Sequence, residues 1–295
     1  MMYQKLFLNG SYVDKDKASV NINDRGYIFG DGVYDVIAVV KGVTIHMDPH
    51  IDRLILSLDG ISIKYSSNFK NEIKNIVDKL IKTNNVQDGR VYIQVTRGEA
   101  ERDHCYVKGM EYNLLVFIQE MSLPGLNSDL IECTLHEDIR WKRRDIKAIS
   151  LLANVMLRQI AKDKGCDEAI LYQAEDNVVT ECASRNLFIV DEYDNIFTHP
   201  ADRNILSGIT RSVVIDLAKK SNLKVLEKKF TVKEMLSAKE VFTTTTGHFI
   251  NGVRKIDSYT IGNGKKGSIT TLLERLYWKE VMKYVAKGNK NSVLS

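Results

Sequence analysis

Lys147 stands in the run Asp145-Ile-Lys-Ala-Ile-Ser150, with apolar residues on both sides of its amine, in a segment that reads as a strand leading into a helix capped by Ser150. Burial among apolar neighbours lowers a lysine's pKa from its ordinary ~10.4 and makes the neutral amine available for Schiff-base chemistry. The same pattern also describes an edge-strand lysine whose stem covers apolar surface while its head reaches water. Glu181 follows the strand-like Asn177-Val-Val and precedes Cys-Ala-Ser-Arg-Asn-Leu-Phe, which puts a carboxylate at a strand end. A carboxylate facing a pyridine nitrogen keeps that nitrogen protonated and lets the ring draw electrons from a carbanion. Without such a ring it is an ordinary turn glutamate.

Three places have the groups to hold a phosphate: Arg53, Gly208-Ile209-Thr210 at a helix start, and Thr243-Thr244-Thr245-Thr246 ahead of Gly247. First-turn N–H groups bind anions, and hydroxyls and a guanidinium complete such a shell. Each has a plainer reading as well: a helix-surface charge, a first-turn threonine, and a run of high β-propensity. Gly30-Asp-Gly32 is no dinucleotide fingerprint, because the third glycine is missing and a strand follows where a helix is required. A tight turn delivering Tyr34 fits better. Arg102-Asp-His104 lies on an extended loop after a strand, where arginine and histidine can converge on one carboxylate; the alternative is a solvated polar loop.

The elements that must position these groups fit a mid-sized soluble chain. At 295 residues, two domains are the natural expectation. The composition, 44% hydrophobic and 27% charged with 18 Gly and 3 Pro, is globular. The net charge of +4, from 42 basic and 38 acidic residues, gives no footprint for nucleic acid or membrane surface and favours small-molecule chemistry. Cys105, Cys133, Cys166 and Cys182 lack zinc or disulfide-framework spacing, and no apolar h-region or membrane-length stretch is present, so a cytoplasmic protein without a metal is expected.

Leu6 and Leu8 ahead of Asn9-Gly10 predict a hairpin over 5–13, and 33–40 predicts a β-branched strand. Helical spacing marks 48–58 and 67–84, and strands return at 90–96 and 112–119. Ser122-Leu-Pro-Gly-Leu-Asn-Ser128 breaks the pattern. Beyond it, helices are expected at 150–164, 208–221 and 268–285, and strands at 168–173, 187–190 and 241–245. The predicted organisation is an N-terminal α/β domain over 1–121, a linker over 122–128, a second domain over 129–287 and a frayed tail over 288–295. Strands with interspersed helices in each half make two α/β (α+β) domains with a cleft between them.

Taken together, Asp24-Arg-Gly-Tyr-Ile-Phe-Gly-Asp-Gly-Val-Tyr34, His50-Ile-Asp-Arg-Leu54, Gln94-Val-Thr-Arg-Gly98, Glu137-Asp-Ile-Arg-Trp141 through Lys147, Lys164-Gly-Cys-Asp-Glu-Ala-Ile-Leu171 and Thr198-His-Pro-Ala201 resemble the fold-type IV pyridoxal phosphate (PLP) aminotransferases, and most of all the bacterial D-amino-acid aminotransferases. The resemblance runs nearly end to end and implies a two-domain fold with the cofactor in the interdomain cleft. It implies that Lys147 forms the Schiff base and carries the proton, Glu181 meets the pyridine nitrogen, Arg53, Ile209, Thr210, Thr244 and Thr245 hold the phosphate, and Leu206 packs on the ring. It implies further that Tyr34, Arg102 and His104 bind the substrate carboxylate across a homodimer, in a ping-pong exchange between a D-amino acid of the D-alanine or D-glutamate type and a 2-keto acid. Branched-chain L-aminotransferases and aminodeoxychorismate lyases share the fold and are the alternatives. Two departures from the D-specific pattern are Arg185, a bulky cation expected near the cofactor, and Gly247-His248-Phe249 after the threonines.

Overall fold

The computed structural model describes residues 1–122 and 128–292, with side chains as far as residue 288. The chain forms two compact units, the first taking in Ile146–Ser150 and the last helix from Val281 as well as the N-terminal stretch. Its strands are β1 (Lys5–Leu8), β2 (Ser11–Asp14), β3 (Gly32–Val40), β4 (Val43–Thr44), β5 (Gly89–Thr96) and β6 (Asn113–Glu120), and its helices are α1 (Arg25–Phe29), α2 (Met47–Gly60) and α3 (Phe69–Thr83). Among the described residues the six strands make one sheet in the order β2-β1-β6-β5-β3-β4. The predicted hairpin is present: Leu8 pairs with Ser11, and Asn9 and Gly10 take φ of 44° and 85°, the double positive φ that a two-residue turn of this hand requires.

One face of this sheet carries Val33, Ile37, Val91, Ile93, Val116 and Ile118, packed with Ile51, Leu54 and Leu58 of α2 and Ile73, Val77 and Leu80 of α3. A strand's side chains alternate, so Asp35 falls on this covered face while Tyr34 falls on the other.

The second unit has β7 (Ile131–Glu137), β8 (Glu168–Tyr172), β9 (Val179–Cys182), β10 (Asn186–Val190), β11 (Ile196–Thr198), β12 (Val225–Glu227), β13 (Glu240–Thr245), β14 (Phe249–Ile256) and β15 (Tyr259–Thr260), with α4 (Leu152–Asp163), α5 (Ile209–Lys220), α6 (Val232–Leu236) and the start of α7 (Ser268–Ser292). Among the described residues these nine strands form one mixed sheet, ordered β12-β11-β10-β13-β14-β7-β8-β9 with β15 beside β14. Each unit is thus a sheet with helices, the α+β class read from the sequence. No helix among the described residues is long and apolar enough to cross a membrane.

Several expectations need correction. Lys147 lies outside any named strand: only Ala148 bridges Val33. Backbone bonds from Tyr34 N to the Lys147 carbonyl (2.9 Å) and from Ile149 N to the Gly32 carbonyl (3.1 Å) bind this segment to β3, which places it in the first unit although 129–287 was expected to form one domain. Helix α4 starts at Leu152 after a Leu151 cap that makes no side-chain bond, so Ser150 does not cap it. Glu181 lies within β9 rather than at a strand end. The tail expected from Gly288 continues α7 to Ser292; a Cβ at Gly288 would come 2.6 Å from the Val43 side chain, so the glycine permits close packing there. Residues 123–127 of the expected linker and 293–295 of the tail lie outside the described residues.

Candidate active site

In the first unit, the pairing of 147–149 with β3 makes Lys147 and Tyr34 cross-strand neighbours. The Lys147 ammonium sits 4.3 Å from the centroid of the Tyr34 ring, and the Lys147 backbone N–H donates to Ser57 Oγ of α2 at 3.2 Å. Tyr34 stacks on Tyr92 (5.5 Å, 24°), which stacks in turn on Phe117 (4.8 Å). The lysine is half-buried between Ile146 and Ala148, both buried. It is an amine held against an aromatic surface, not one extended into water.

Arg53 is no surface charge. One edge of its guanidinium donates to both Asp35 oxygens, Nε to Oδ2 at 2.9 Å and Nη2 to Oδ1 at 2.8 Å. His50 Nδ1 lies 2.7 Å from Asp35 Oδ1. Burial alone would raise the Asp35 carboxyl, but Arg53 and then His50 hold it far below the ordinary carboxylate range. Burial, opposed by Asp35, lowers His50, and its Nδ1–H donates a hydrogen bond to the Asp35 carboxylate. Helical spacing puts His50 and Arg53 on one face of α2, and the alternation of β3 points Asp35 at them.

Arg102 and His104 are exposed, and both gather on one ring: the Arg102 guanidinium carbon is 5.4 Å from the Phe29 centroid, and the His104 ring is 5.4 Å away at 45°. The loop gathers the pair on Phe29 while leaving both side chains open to solvent.

In the second unit, Glu181 is 4% exposed. Its Oε1 accepts from Arg140 Nη1 at 2.7 Å and from the Leu206 N–H at 3.2 Å, and its Oε2 accepts from Asn186 Nδ2 at 2.7 Å. The Leu206 carbonyl also accepts from Asn186, fixing that residue's backbone beside the carboxylate. Arg140 turns its other edge to Asp138, at 2.9 and 2.8 Å, and Asp138 also takes the Thr180 hydroxyl. Burial, opposed by Arg140, pushes the Glu181 carboxyl up. An ionised carboxylate has roughly four acceptor positions, so three protein donors leave room for one more N–H. A cationic N–H there would relieve the burial cost. Sequence reasoning missed Arg140, Asn186 and Asp138 as parts of this site; the Asp-x-Arg pair was visible but had no partner until the fold supplied one.

Helix α5 packs against β13 and begins after Gly208, which makes no side-chain cap bond. A Cβ at Gly208 would come 1.9 Å from Asn186 Oδ1, so no side chain fits there. Thr244 pairs with Asn186 across β13 and β10. Its hydroxyl is buried without a protein partner, which is costly unless an outside group supplies one. An anion at the first-turn N–H groups of Ile209 and Thr210 would do so, and these residues therefore fit a phosphate. Strand alternation turns the Thr243 and Thr245 side chains to the opposite face, so Thr245 could contribute only through its backbone.

The expectation for Arg185, which stands in the bend just ahead of β10, is corrected too. It points away from Asn186 and Glu181, to Glu168 (3.3 Å) and Asn251 (2.7 Å), where it neutralises a fully buried carboxylate. Phe249 packs on Tyr277 and Trp278 of α7, at 5.1 and 6.1 Å.

Two helix-packed sheets carrying these groups are the architecture of an amino-group transferase. The chain belongs to amino-transferase class IV, whose family model matches residues 32–256. Over 283 residues it is 37% identical to a D-alanine aminotransferase of Listeria monocytogenes, covering 94% of this chain and 96% of that one. A D-alanine aminotransferase of Bacillus licheniformis is 37% identical over 284 residues, covering 96% and 99%. Among solved structures, the branched-chain aminotransferase of Thermoproteus uzoniensis with norvaline aligns with a TM-score of 0.85 at 25% identity, over 96% of this chain and 98% of that one. The chain is an enzyme of this family, as the sequence motifs implied.

Proposed function

We propose that this aminotransferase uses PLP to exchange the amino group of a D-amino acid, of the D-alanine or D-glutamate type, for the oxygen of a 2-keto acid. The observation that carries the reading is the convergence of Arg102 and His104 on Phe29, in a chain 37% identical to enzymes named D-alanine aminotransferase. When bound, PLP supplies an aldehyde for an amine to condense with and a ring that draws electrons from the substrate's α-carbon.

The protein's own groups do the rest. Lys147 anchors the cofactor, then takes the α-proton and returns it, base and acid in turn. The Glu181 carboxylate, braced by Arg140 and Asn186, favours positive charge at the ring nitrogen. By the family resemblance, Arg53, the N–H groups of Ile209 and Thr210, the Thr244 hydroxyl and the Thr245 backbone would hold the phosphate, and Leu206 would pack on the ring. Tyr34, Arg102 and His104 receive the substrate carboxylate. The two half-reactions make a ping-pong cycle.

Arg102→Ala tests the carboxylate role. Losing one charge-assisted hydrogen bond costs ~1.5 to 3 kcal/mol, so kcat/KM for the D-substrate is expected to fall roughly 10- to 150-fold while cofactor loading survives. Steady-state rates with a panel of D- and L-amino acids and 2-oxoglutarate read the result. Higher activity with L-leucine or L-valine than with every D-amino acid would move the enzyme to the branched-chain type, and pyruvate release from aminodeoxychorismate would make it a lyase.

A homodimer completes the reading, because the outer face of α4 presents Leu152, Val155 and Met156, 74%, 61% and 49% exposed. Their i, i+3 and i+4 spacing makes a continuous apolar stripe of the kind that marks an interface. Met156→Asp is expected to weaken self-association by about 10- to 100-fold, since burying one such side chain contributes ~1.5 to 3 kcal/mol. Sedimentation across a dilution series measures this, and an unchanged profile would remove α4 from the interface. The four unpaired thiols accord with a cytoplasmic location.

A further inference from the structure

Helix α1 enters the account above only through the Phe29 ring on which Arg102 and His104 gather, yet the whole helix is built with care. Asp24 caps it by accepting from the Gly26 N–H at 2.7 Å, and its other oxygen takes the Thr96 hydroxyl and the Asn113 amide. A Cβ at Gly26 would come 2.3 Å from the Thr96 methyl, so the helix start sits directly on β5. Gly30, at φ 67°, ends the helix after five residues and turns the chain into β3. Only one side chain of α1 is buried, that of Arg25.

Arg25 reaches out of this short helix in three directions. Its Nε donates to Asp31 Oδ2 at 2.9 Å, Nη1 to the Asp103 carbonyl at 2.6 Å, and Nη2 to the His104 carbonyl at 3.2 Å. Asp31 is itself held by Arg97, whose Nε donates to the same oxygen at 2.8 Å and whose Nη2 donates to the Ile61 carbonyl. Arg97 also stacks on Tyr106 at 3.8 Å, beyond the other end of the Asp103-His104 pair. One turn along α1, the Phe29 ring lies 4.7 Å from the Arg25 guanidinium carbon and 5.4 Å from both the Arg102 guanidinium carbon and the His104 ring centroid. A rigid arginine fork thus pins two successive carbonyls of an exposed loop, and an aromatic platform from the same helix carries the side chains on either side of Asp103.

We infer that Arg25 and Phe29 are positioning residues for substrate: they hold Arg102 and His104 in one fixed arrangement before a carboxylate arrives. The inference rests on the carboxylate role proposed for Arg102 and His104. With the fork removed, the loop keeps its start, bound through Arg97 N to the Asp31 carbonyl and Ala100 N to the Asn23 carbonyl, but 102–104 must be ordered at the cost of substrate binding. Lysine cannot replace the fork, because an ammonium on a flexible stem does not span two carbonyls and a carboxylate in fixed geometry.

Arg25→Met is expected to raise KM for both the D-amino acid and the keto acid about tenfold, with kcat at saturation within about twofold of the parent. Arg25→Lys should restore little of the loss. In the cofactor-free chain, hydrogen exchange at the amides of 102–106 should quicken. In an Arg102→Ala background, Arg25→Met should add little, because its effect acts through the residue already removed. Phe29→Leu leaves every Arg25 hydrogen bond in place and should raise KM in the same direction, so the comparison stands even if Arg25→Met folds poorly. If Arg102→Ala itself leaves KM unchanged, the carboxylate reading fails. If Arg102→Ala raises KM while Arg25→Met and Phe29→Leu change neither KM nor loop exchange, or if the effects of Arg25→Met and Arg102→Ala simply add, the positioning role is overturned.

Discussion

Lys147→Ala is expected to lower turnover by at least about 10,000-fold, because one side chain supplies both the covalent anchor and the proton carrier, and acid–base transfer alone contributes roughly 10²- to 10⁴-fold. The fold should be nearly untouched. The backbone bonds that tie 147–149 to β3 do not involve the side chain, and truncation removes only the cation held over the Tyr34 ring, an interaction of roughly 0.5 to 1 kcal/mol at a partly exposed site. Thermal melting of the cofactor-free variant should therefore lie close to that of the parent. Lys147→Arg should not rescue activity, since a guanidinium does not condense with an aldehyde under these conditions. Borohydride reduction of the loaded parent enzyme and peptide mapping decide the assignment; cofactor found on another lysine would sink it.

Glu181→Gln is expected to slow α-proton removal by on the order of 10²- to 10³-fold, the scale of losing one preorganised electrostatic partner at a reacting centre. The shape is conserved and the charge is removed. Glu181 also accepts from Arg140, Asn186 and the Leu206 N–H, so an amide here turns its NH₂ toward at least one donor. Arg140 keeps Asp138, which limits the loss of stability to about 1 to 3 kcal/mol. PLP affinity should change far less than rate, because the phosphate groups are elsewhere. Single-turnover measurements at saturating cofactor separate the two effects, and an unchanged rate would take Glu181 out of the mechanism.

Much of the fold was legible because it is written in short periods. The Asn9-Gly10 turn, the β-branched run of β3 and the helical spacing of α2, α3 and α5 each depend on neighbours within a few residues, and the structure has them in place. Strands β7, β11, β12 and β14 were not read, since their placement depends on pairing that local spacing does not reveal. The long reach of α7 was missed for a similar reason: Gly288 looks like a helix end until Val43 is seen packed against it.

For the site, the sequence by itself determined which groups were available: an amine flanked by apolar residues, a carboxylate, hydroxyls at a helix start, an Arg-x-His pair and the motifs of a class IV aminotransferase. It could not say what those groups face. Arg53 locks to Asp35 across 18 residues of chain, Arg140 braces Glu181 across 41, and Arg25 grips the loop carrying Arg102 and His104 across 78 and 79. Strand alternation aims Asp35 and Glu181 and helix phase aims Arg25 and Arg53, while Arg140 comes from the bend after β7. Arg185 and Asn186 make the point most sharply. They are adjacent in sequence, yet Arg185, in the bend just ahead of β10, pairs with Glu168 while Asn186, the first residue of the strand, meets Glu181. Tertiary pairing alone decides which face of the sheet is which.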